Sequence, residues 1–287
     1  MLVSIYMPTK DRLELLQRAV NSVLTQTHQE IELVVANDGS SDGTQAWLDQ
    51  LAEKDPRVRA IHNVRPLGAP AARNSAIRLT RGEWVTGLDD DDEFMPERLR
   101  YFLDEATRLD AAGIRYSGLY STERIVGSSR SYTLDKKPEA GLRDLFHHNH
   151  IGNQIFARRA TYLEVGLFDE QMPAWQDLEL FMRMVDRFGP AKLVPEPLYL
   201  LADDDRSDRI SKKKKPKLID AYERIVRKWP DVAREDKQRL FLQLLAPFYG
   251  FPIEPADLGK YFSLGISPMA CARMAKLVFV RRRVGNT

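Results

Sequence analysis

Between residues 2 and 88 the sequence alternates runs of β-formers with stretches of helical apolar spacing. No other feature constrains the fold as much. Residues 2–7, Ile31 to Ala36, Val58 to Ile61 and Trp84 to Leu88 are the β-rich runs, each closing on a polar turn. Leu13 to Leu24, Thr44 to Leu51 and Ala69 to Leu79 repeat apolar residues with a period near 3.6. Alternation at this pitch predicts βαβ units and a mostly parallel α/β sheet flanked by helices. In such sheets ligands bind beyond the carboxyl ends of the strands. Pro8-Thr9-Lys10-Asp11, Asn37-Asp38-Gly39-Ser40 and Asp89 to Asp92 all fall at those ends, so three polar turns are expected to converge on one crevice.

After Pro96 the alternation becomes irregular. Helices are expected over Glu97 to Leu109, Leu142 to His147 and Asp177 to Phe188. Strands are expected over Ile114 to Ile125, Ser131 to Leu134, Ile151 to Ala157 and Lys192 to Val194. Beyond Lys212 to Lys217 the chain reads as helical, over Leu218 to Trp229, Ala233 to Leu245 and Pro268 to about Arg283. Charge divides at the same place. Residues 210–287 hold 17 basic and 7 acidic residues, net +10; from chain totals of 43 and 41, residues 1–209 hold 26 and 34, net −8. We therefore expect a catalytic domain at 1–209 and a basic helical region at 210–287.

The single cysteine, Cys271, excludes an intrachain disulfide framework and a cysteine-rich zinc site, and fits a reducing compartment. No apolar run approaches the roughly 20 residues needed to span a bilayer. A cytoplasmic protein is expected, peripheral at the inner face of the membrane where its basic region meets anionic lipid. The acidic 1–209 segment and the lack of an aromatic-rich basic groove argue against nucleic acid as the partner.

Four consecutive aspartates, Asp89 to Asp92, follow the apolar run Trp84-Val85-Thr86-Gly87-Leu88. Adjacent carboxylates repel, so a structural use is costly unless a cation sits among them. Hard oxygen ligands at a strand end suit Mg²⁺ or Mn²⁺ shared with a diphosphate. The competing use is a solvated acidic turn ahead of the helix that begins near Pro96, although a cap needs one aspartate rather than four. In the turn Asn37 to Gly43, Asp38 can accept from a base or ribose and Asp42 can cap the next helix; turn chemistry alone also explains both. Arg73, near the start of a helix, suits a base carbonyl or phosphate, or is a surface arginine.

Taken together, these segments resemble the family 2 glycosyltransferases of the GT-A fold. The matching pieces come in that family's order. They are Pro8-Thr9-Lys10-Asp11-Arg12; Asn37 to Thr44; Ala72-Arg73-Asn74; Leu88 to Asp92 with Met95-Pro96-Glu97-Arg98-Leu99; Gly166-Leu167-Phe168-Asp169-Glu170; and Gln176-Asp177-Leu178-Glu179-Leu180. The resemblance covers roughly residues 1–200. It implies that Pro8, Thr9 and Asp11 line the nucleobase pocket, with Asp38 and Arg73 reading the base, commonly uracil. Asp89 and Asp90 would face ribose and diphosphate, and Asp91 would hold Mn²⁺ or Mg²⁺. Asp92 would support that site or cap a helix, and Asp177 would be the general base. A carboxylate far in sequence from the metal cluster suits an inverting transfer, in which it takes the acceptor hydroxyl's proton. Glu179, two residues along the same helix, would point elsewhere.

Two positions depart from the family pattern. Asn37 replaces an acid. The loop at 202–209 lacks the usual histidine or arginine unless Arg206 or Arg209 substitutes. The implied activity is transfer of a sugar, as by a hexosyltransferase, from a nucleoside-diphosphate donor, UDP-linked, to a glycan or lipid-linked acceptor in cell-surface polysaccharide synthesis. A nucleotidyltransferase also pairs aspartates with Mg²⁺, but the N-terminal turn is not a glycine-rich phosphate loop. A non-catalytic sugar-nucleotide binder is the other alternative, and the presence of both Asp91 and Asp177 counts against it. His147, His148 and His150 lack a fourth zinc ligand and read as a polar or exposed loop. Trp175 is a candidate to stack on an acceptor sugar or to pack in the core.

Overall fold

The computed structural model describes residues 1–127, 131–203 and 215–284. Among them the chain forms two compact units. The first comprises Met1–Gly141, His150–Glu170 and Leu180–Asp205; the second comprises Leu142–Asn149, Gln171–Glu179 and Arg206–Thr287.

The first unit opens with β1 (Val3–Thr9), α1 (Leu13–Leu24), β2 (Ile31–Asn37), α2 (Thr44–Lys54), β3 (Val58–His62), α3 (Ala69–Leu79) and β4 (Trp84–Gly87). These strands form the parallel core of a sheet in the order β3-β2-β1-β4. Every residue of β2 is buried, as is all of β1 except Pro8, which is why both read as continuous apolar runs rather than alternating ones. The carboxyl ends lie level: Thr9 pairs with Asn37 and Asn37 with His62, while Tyr6 pairs with Gly87. The polar turns after β1, β2 and β4 therefore open along one edge, as the alternation predicts.

The unit continues with β5 (Glu93–Phe94), α4 (Arg98–Ala111), β6 (Leu119–Gly127), β7 (Ser131–Thr133) and β8 (Glu139–Ala140). Next come α5 (Leu142–His147), which falls in the second unit, then β9 (Ala157–Arg158), α6 (Arg159–Glu164), α7 (Gln176–Phe188) and β10 (Ala191–Asp203). A second sheet runs β5-β10-β6-β7, with β6 and β10 parallel. The core joins the sheets through Phe156, whose ring stacks on Trp84 at 4.9 Å and meets Phe102 of α4 at 5.1 Å.

Two expectations need correction. The stretch Ile151 to Ala157 is not a strand: only β9 at its end is, antiparallel to β4, with Leu119 and Phe156 forming an isolated bridge. Gly152 at φ +97° and the buried, polar Gln154 break the extended run. Conversely, the strand expected over Lys192 to Val194 runs on to Asp203. Register shifts between Val194 and Tyr199 take up Pro195 and Pro197 within the pairing to β6.

The second unit contains α5, the first turn of α7, α8 (Lys215–Lys228), α9 (Arg234–Leu244), a 3₁₀ turn (Pro247–Tyr249), α10 (Pro255–Ser263) and α11 (Pro268–Val284). Leu218, Ala221, Tyr222 and Ile225 recur at helical spacing on the buried face of α8. The Tyr222 ring meets Phe241 of α9 edge-on at 5.3 Å. Asp236 of α9 accepts from Arg143 at 3.2 Å and lies 2.6 Å from His147 Nε2, while Gln243 donates to the carbonyls of Leu145 and Phe146 at the end of α5. His147 is therefore a half-buried bonded residue rather than part of an idle exposed loop. Among the described residues no helix is long and apolar enough to cross a membrane.

Candidate active site

The four aspartates just past β4 are held by several separate parts of the first unit. Asp89 Oδ1 accepts from Arg73 of α3 at 2.8 Å and from Gln154 at 3.2 Å. Asp90 accepts from the Thr9 hydroxyl at 2.8 Å and from Arg12 at 3.1 Å, and the same guanidinium nitrogen reaches Asp91 at 3.3 Å. Asp92 accepts from the Tyr199 hydroxyl of β10 at 2.9 Å. Two arginines and three neutral donors thus relieve the repulsion that the sequence alone seemed to require a cation to relieve. Among the described residues no three His, Cys, Asp or Glu side chains form a group that could hold a metal ion.

Burial sorts the four. Asp90 and Asp92 are 6 % exposed, whereas the side chains of Asp89 and Asp91 are 21 % and 20 % exposed and face the open edge. Burial pushes the Asp90 carboxyl up to about 6, against the pull of Arg12 and the Thr9 hydrogen bond. Asp92 is pushed well above the usual carboxylate range by burial and then by its charged neighbours. Below it, Arg98 is buried against the rings of Phe94, Phe102 and Tyr199 at 4.5–5.1 Å and donates to Ser121 at 2.8 Å. Burial lowers its guanidinium to about 10.

Gly87 allows this packing. A Cβ there would overlap the Gln154 side-chain oxygen and come within 2.5 Å of the Tyr6 ring. Tyr6 donates to Gln154 at 3.0 Å, which aims the amide of Gln154 at Asp89. Residue type and spacing gave no sign of Gln154, and Arg12 was visible only as the last letter of its motif.

The predicted residues of the β1, β2 and α3 turns lie along the same edge. Asp11 sits at φ +52°; its amide donates to Ser40 Oγ and its carboxylate accepts from the Ser41 amide at 2.7 Å. That backbone bond is the main cause of its lowered carboxyl pKa. Pro8 is the half-buried position of β1 beside it. Asp38 is 5 % exposed and accepts from Asn63 at 2.8 Å and from the amides of Leu67 and Gly68 at 2.8 and 2.9 Å, so it fixes the loop that leads into α3. Asn37 fills the departed acid's place by accepting from the Ser40 amide at 3.0 Å, and its own amide lies 3.2 Å from His62. Asp42 bonds the first amides of two helices, Leu13 at 2.9 Å and Thr44 at 3.1 Å. Arg73 is 5 % exposed and stacks 5.3 Å above the Phe168 ring, so it is no surface arginine. Its neighbour Asn74 bonds both the carbonyl and the amide of Phe168 at 2.9 Å, uniting two motifs that stand far apart in sequence.

Asp177 lies in the first turn of α7, in the part that belongs to the second unit, one residue inside the helix rather than ahead of it. It is half-buried. Glu179, in contrast, is fully buried and bonds Lys228 of α8 at 2.6 Å. Arg206 and Arg209 lie outside the described residues.

The profile of "Glycosyl transferase family 2" matches residues 4–163. The chain belongs to that family. A relative from Escherichia coli K12, "Putative colanic acid biosynthesis glycosyl transferase WcaA", is 36 % identical over 231 residues, which cover 80 % of this chain and 82 % of that protein. The chondroitin synthase of Escherichia coli is 28 % identical over 69 % of this chain, which spans only 28 % of that longer protein. Among solved structures, S. aureus TarS 1–349 in complex with UDP-GlcNAc superimposes with a TM-score of 0.65 at 19 % identity, over 92 % of this chain and 79 % of that one. The mannosyltransferase PcManGT from Pyrobaculum calidifontis, in complex with GDP-Man and Mn²⁺, gives 0.62 at 17 % identity, over 97 % and 79 %. The fold is that of the GT-A glycosyltransferases, and the protein is a glycosyltransferase with relatives in polysaccharide biosynthesis. Asp177 and the second unit lie largely beyond the matched stretch.

Removing the hydroxyl that holds Asp92 should destabilise the first unit. In denaturant unfolding we expect Tyr199→Phe to cost about 1–3 kcal/mol, the usual loss when a buried polar group is left without its partner.

Proposed function

We propose that the enzyme transfers a sugar from a UDP-linked donor to a hydroxyl of a glycan or lipid-linked acceptor, with inversion, in the synthesis of a cell-surface polysaccharide. The observation that supports this most is the aspartate run at the carboxyl end of β4, with Asp89 and Asp91 open and Arg12 and Arg73 behind them. TarS was solved with UDP-GlcNAc on the same fold, and WcaA carries the colanic acid designation. On this reading Pro8, Thr9, Asp11, Asp38 and Arg73 shape the nucleotide pocket: Asp38 through the loop it staples, Thr9 and Arg12 by fixing Asp90. Hard carboxylate oxygens exposed at a strand end are the donor chemistry that Mn²⁺ or Mg²⁺ takes, and Asp91, 20 % exposed and 3.3 Å from Arg12, is the ligand we assign. When bound, such an ion would offset the charge of the departing diphosphate. Asp177 serves as the base that accepts the proton of the attacking hydroxyl; Glu179, committed to Lys228, cannot replace it.

Calorimetry should show UDP binding that weakens at least about tenfold with chelator or in Asp91→Ala, since the ion carries much of the diphosphate interaction. Tighter binding of GDP than UDP would change the donor; indifference to both treatments would remove the metal.

Asp177→Asn should lower kcat by about a hundredfold or more and leave donor affinity near that of the wild type, because the amide keeps its size but cannot accept a proton. Near-normal turnover, or a product that retains the donor's anomeric configuration, would overturn the inverting mechanism.

We further propose that residues 210–287 rest on anionic membrane. α11 buries Ala270 and Met274 and exposes Met269, Phe279 and Val280 ahead of the arginines that end it. Co-sedimentation should require anionic vesicles and fade as salt rises, since the Debye length is only about 8 Å at physiological ionic strength. A salt-resistant remainder should fall in Phe279→Glu. Sedimentation indifferent to lipid charge would leave the region as a folded helical extension.

A further inference from the structure

Between α9 and α10 the chain runs Ala246-Pro247-Phe248-Tyr249-Gly250-Phe251-Pro252-Ile253, with three aromatic residues and no charge. The segment's three rings pack on one another. Tyr249 and Phe251 lie parallel, 6.0 Å apart with 6° between their planes, and Phe248 meets Tyr249 edge-on at 5.3 Å. Gly250 takes the left-handed conformation, φ +69°, that turns the chain between them. On the far side Lys215 donates to the Pro252 carbonyl at 3.2 Å while it pairs with Glu254 and Asp257, which close the cap of α10. The Phe248 ring is nonetheless 70 % exposed.

A second contact ties these rings to the residues before Asp177. The Trp175 indole donates to the Tyr249 hydroxyl at 2.8 Å. Trp175 sits at φ +53°, a conformation that costs a bulky residue on the order of 1–3 kcal/mol and persists only where its surroundings impose it. The chain accepts that strain two residues ahead of Asp177, within the same unit.

We propose that Phe248, Tyr249 and Phe251 form the acceptor-sugar platform of this enzyme, positioned by Trp175. This rests on the assignment of Asp177 as base. A pyranose ring presents a face of C–H bonds, which matches the negative face of an aromatic ring. Since its oxygen accepts the indole's hydrogen bond, the Tyr249 hydroxyl keeps its own proton to donate to a sugar oxygen. The occupant is a neutral carbohydrate rather than a phosphate-bearing surface, because 246–253 carries no cation and is followed by Glu254 and Asp257.

The test uses the full chain with cellobiose, lactose and N,N′-diacetylchitobiose as probes, read by saturation-transfer NMR and by tryptophan fluorescence. At least one should receive saturation at its ring protons and shift the fluorescence. Phe248→Ser, at an exposed position, should weaken that binding about tenfold, as loss of an aromatic contact implies. Tyr249→Phe should keep the saturation transfer and lose part of the fluorescence response. Absence of transfer from all three sugars, or equal transfer in wild type and Phe248→Ser, would sink the platform. So would a Phe248→Ser protein that loses only its binding to vesicles of 3:1 phosphatidylcholine and phosphatidylglycerol. Normal turnover in Asp177→Asn with sugar binding still lost in Phe248→Ser would instead remove the base assignment and leave the platform standing.

Discussion

Four neighbouring carboxylates at the end of one strand can coexist only if the surrounding fold supplies their counter-charges, and the first unit is organised around doing so. Thr9 comes from the end of β1 and Arg12 from the turn after it, Arg73 from α3, Gln154 from the segment before β9 and Tyr199 from β10. Each aspartate therefore binds an element distant in sequence to the end of β4. Placement of the two sheets and the chemistry of the open edge follow from one set of hydrogen bonds, in which low local dielectric makes every missing partner expensive.

The same economy accounts for motifs that stand far apart in the chain. Asn74 clasps both backbone groups of Phe168, and Arg183 of α7 donates to the carbonyls of Val165 and Leu167, the latter a residue at φ +64°. Asp38 gathers the loop before α3, and Asp11 grips the turn after β2. Most of these acids and amides bond backbone, which is why turn chemistry seemed sufficient to explain each one singly. An edge made of loops is only as rigid as the side chains that staple it.

What was legible in the sequence was what local periodicity controls. The spans of α1 and α3 were read to the residue, and the parallel sheet followed from the alternation of β-rich runs with helical spacing. Periodicity failed where tertiary contacts override it. Ile151, Ile155 and Phe156 are apolar because they are buried, not because the stretch pairs as a strand, and its key residue, Gln154, is a buried polar side chain. β10 outruns Lys192 to Val194 because its register shifts accommodate Pro195 and Pro197, which lack amide donors. α10 was missed because it is short and contains Gly259, its stability coming from the Glu254–Asp257 cap and the buried Tyr261. In the site, residue types picked out the acids, but the neutral and cationic partners that decide their charge could be found only in three dimensions.

Asp177 and Glu179 show that difference most simply. Both are acids in the first turn of one helix, and composition cannot tell them apart. Glu179 is fully buried and its carboxylate is neutralised by Lys228, so its charge holds α7 and α8 together and is unavailable for proton transfer. Asp177 lies two residues away, some 200° around a helix of about 3.6 residues per turn, and keeps partial access to solvent. A general base must reach an incoming hydroxyl and shed the proton it gains, and burial beside a lysine forbids both. The inward acid supplies the packing that keeps the start of α7 in place, and the half-buried one is the base we propose.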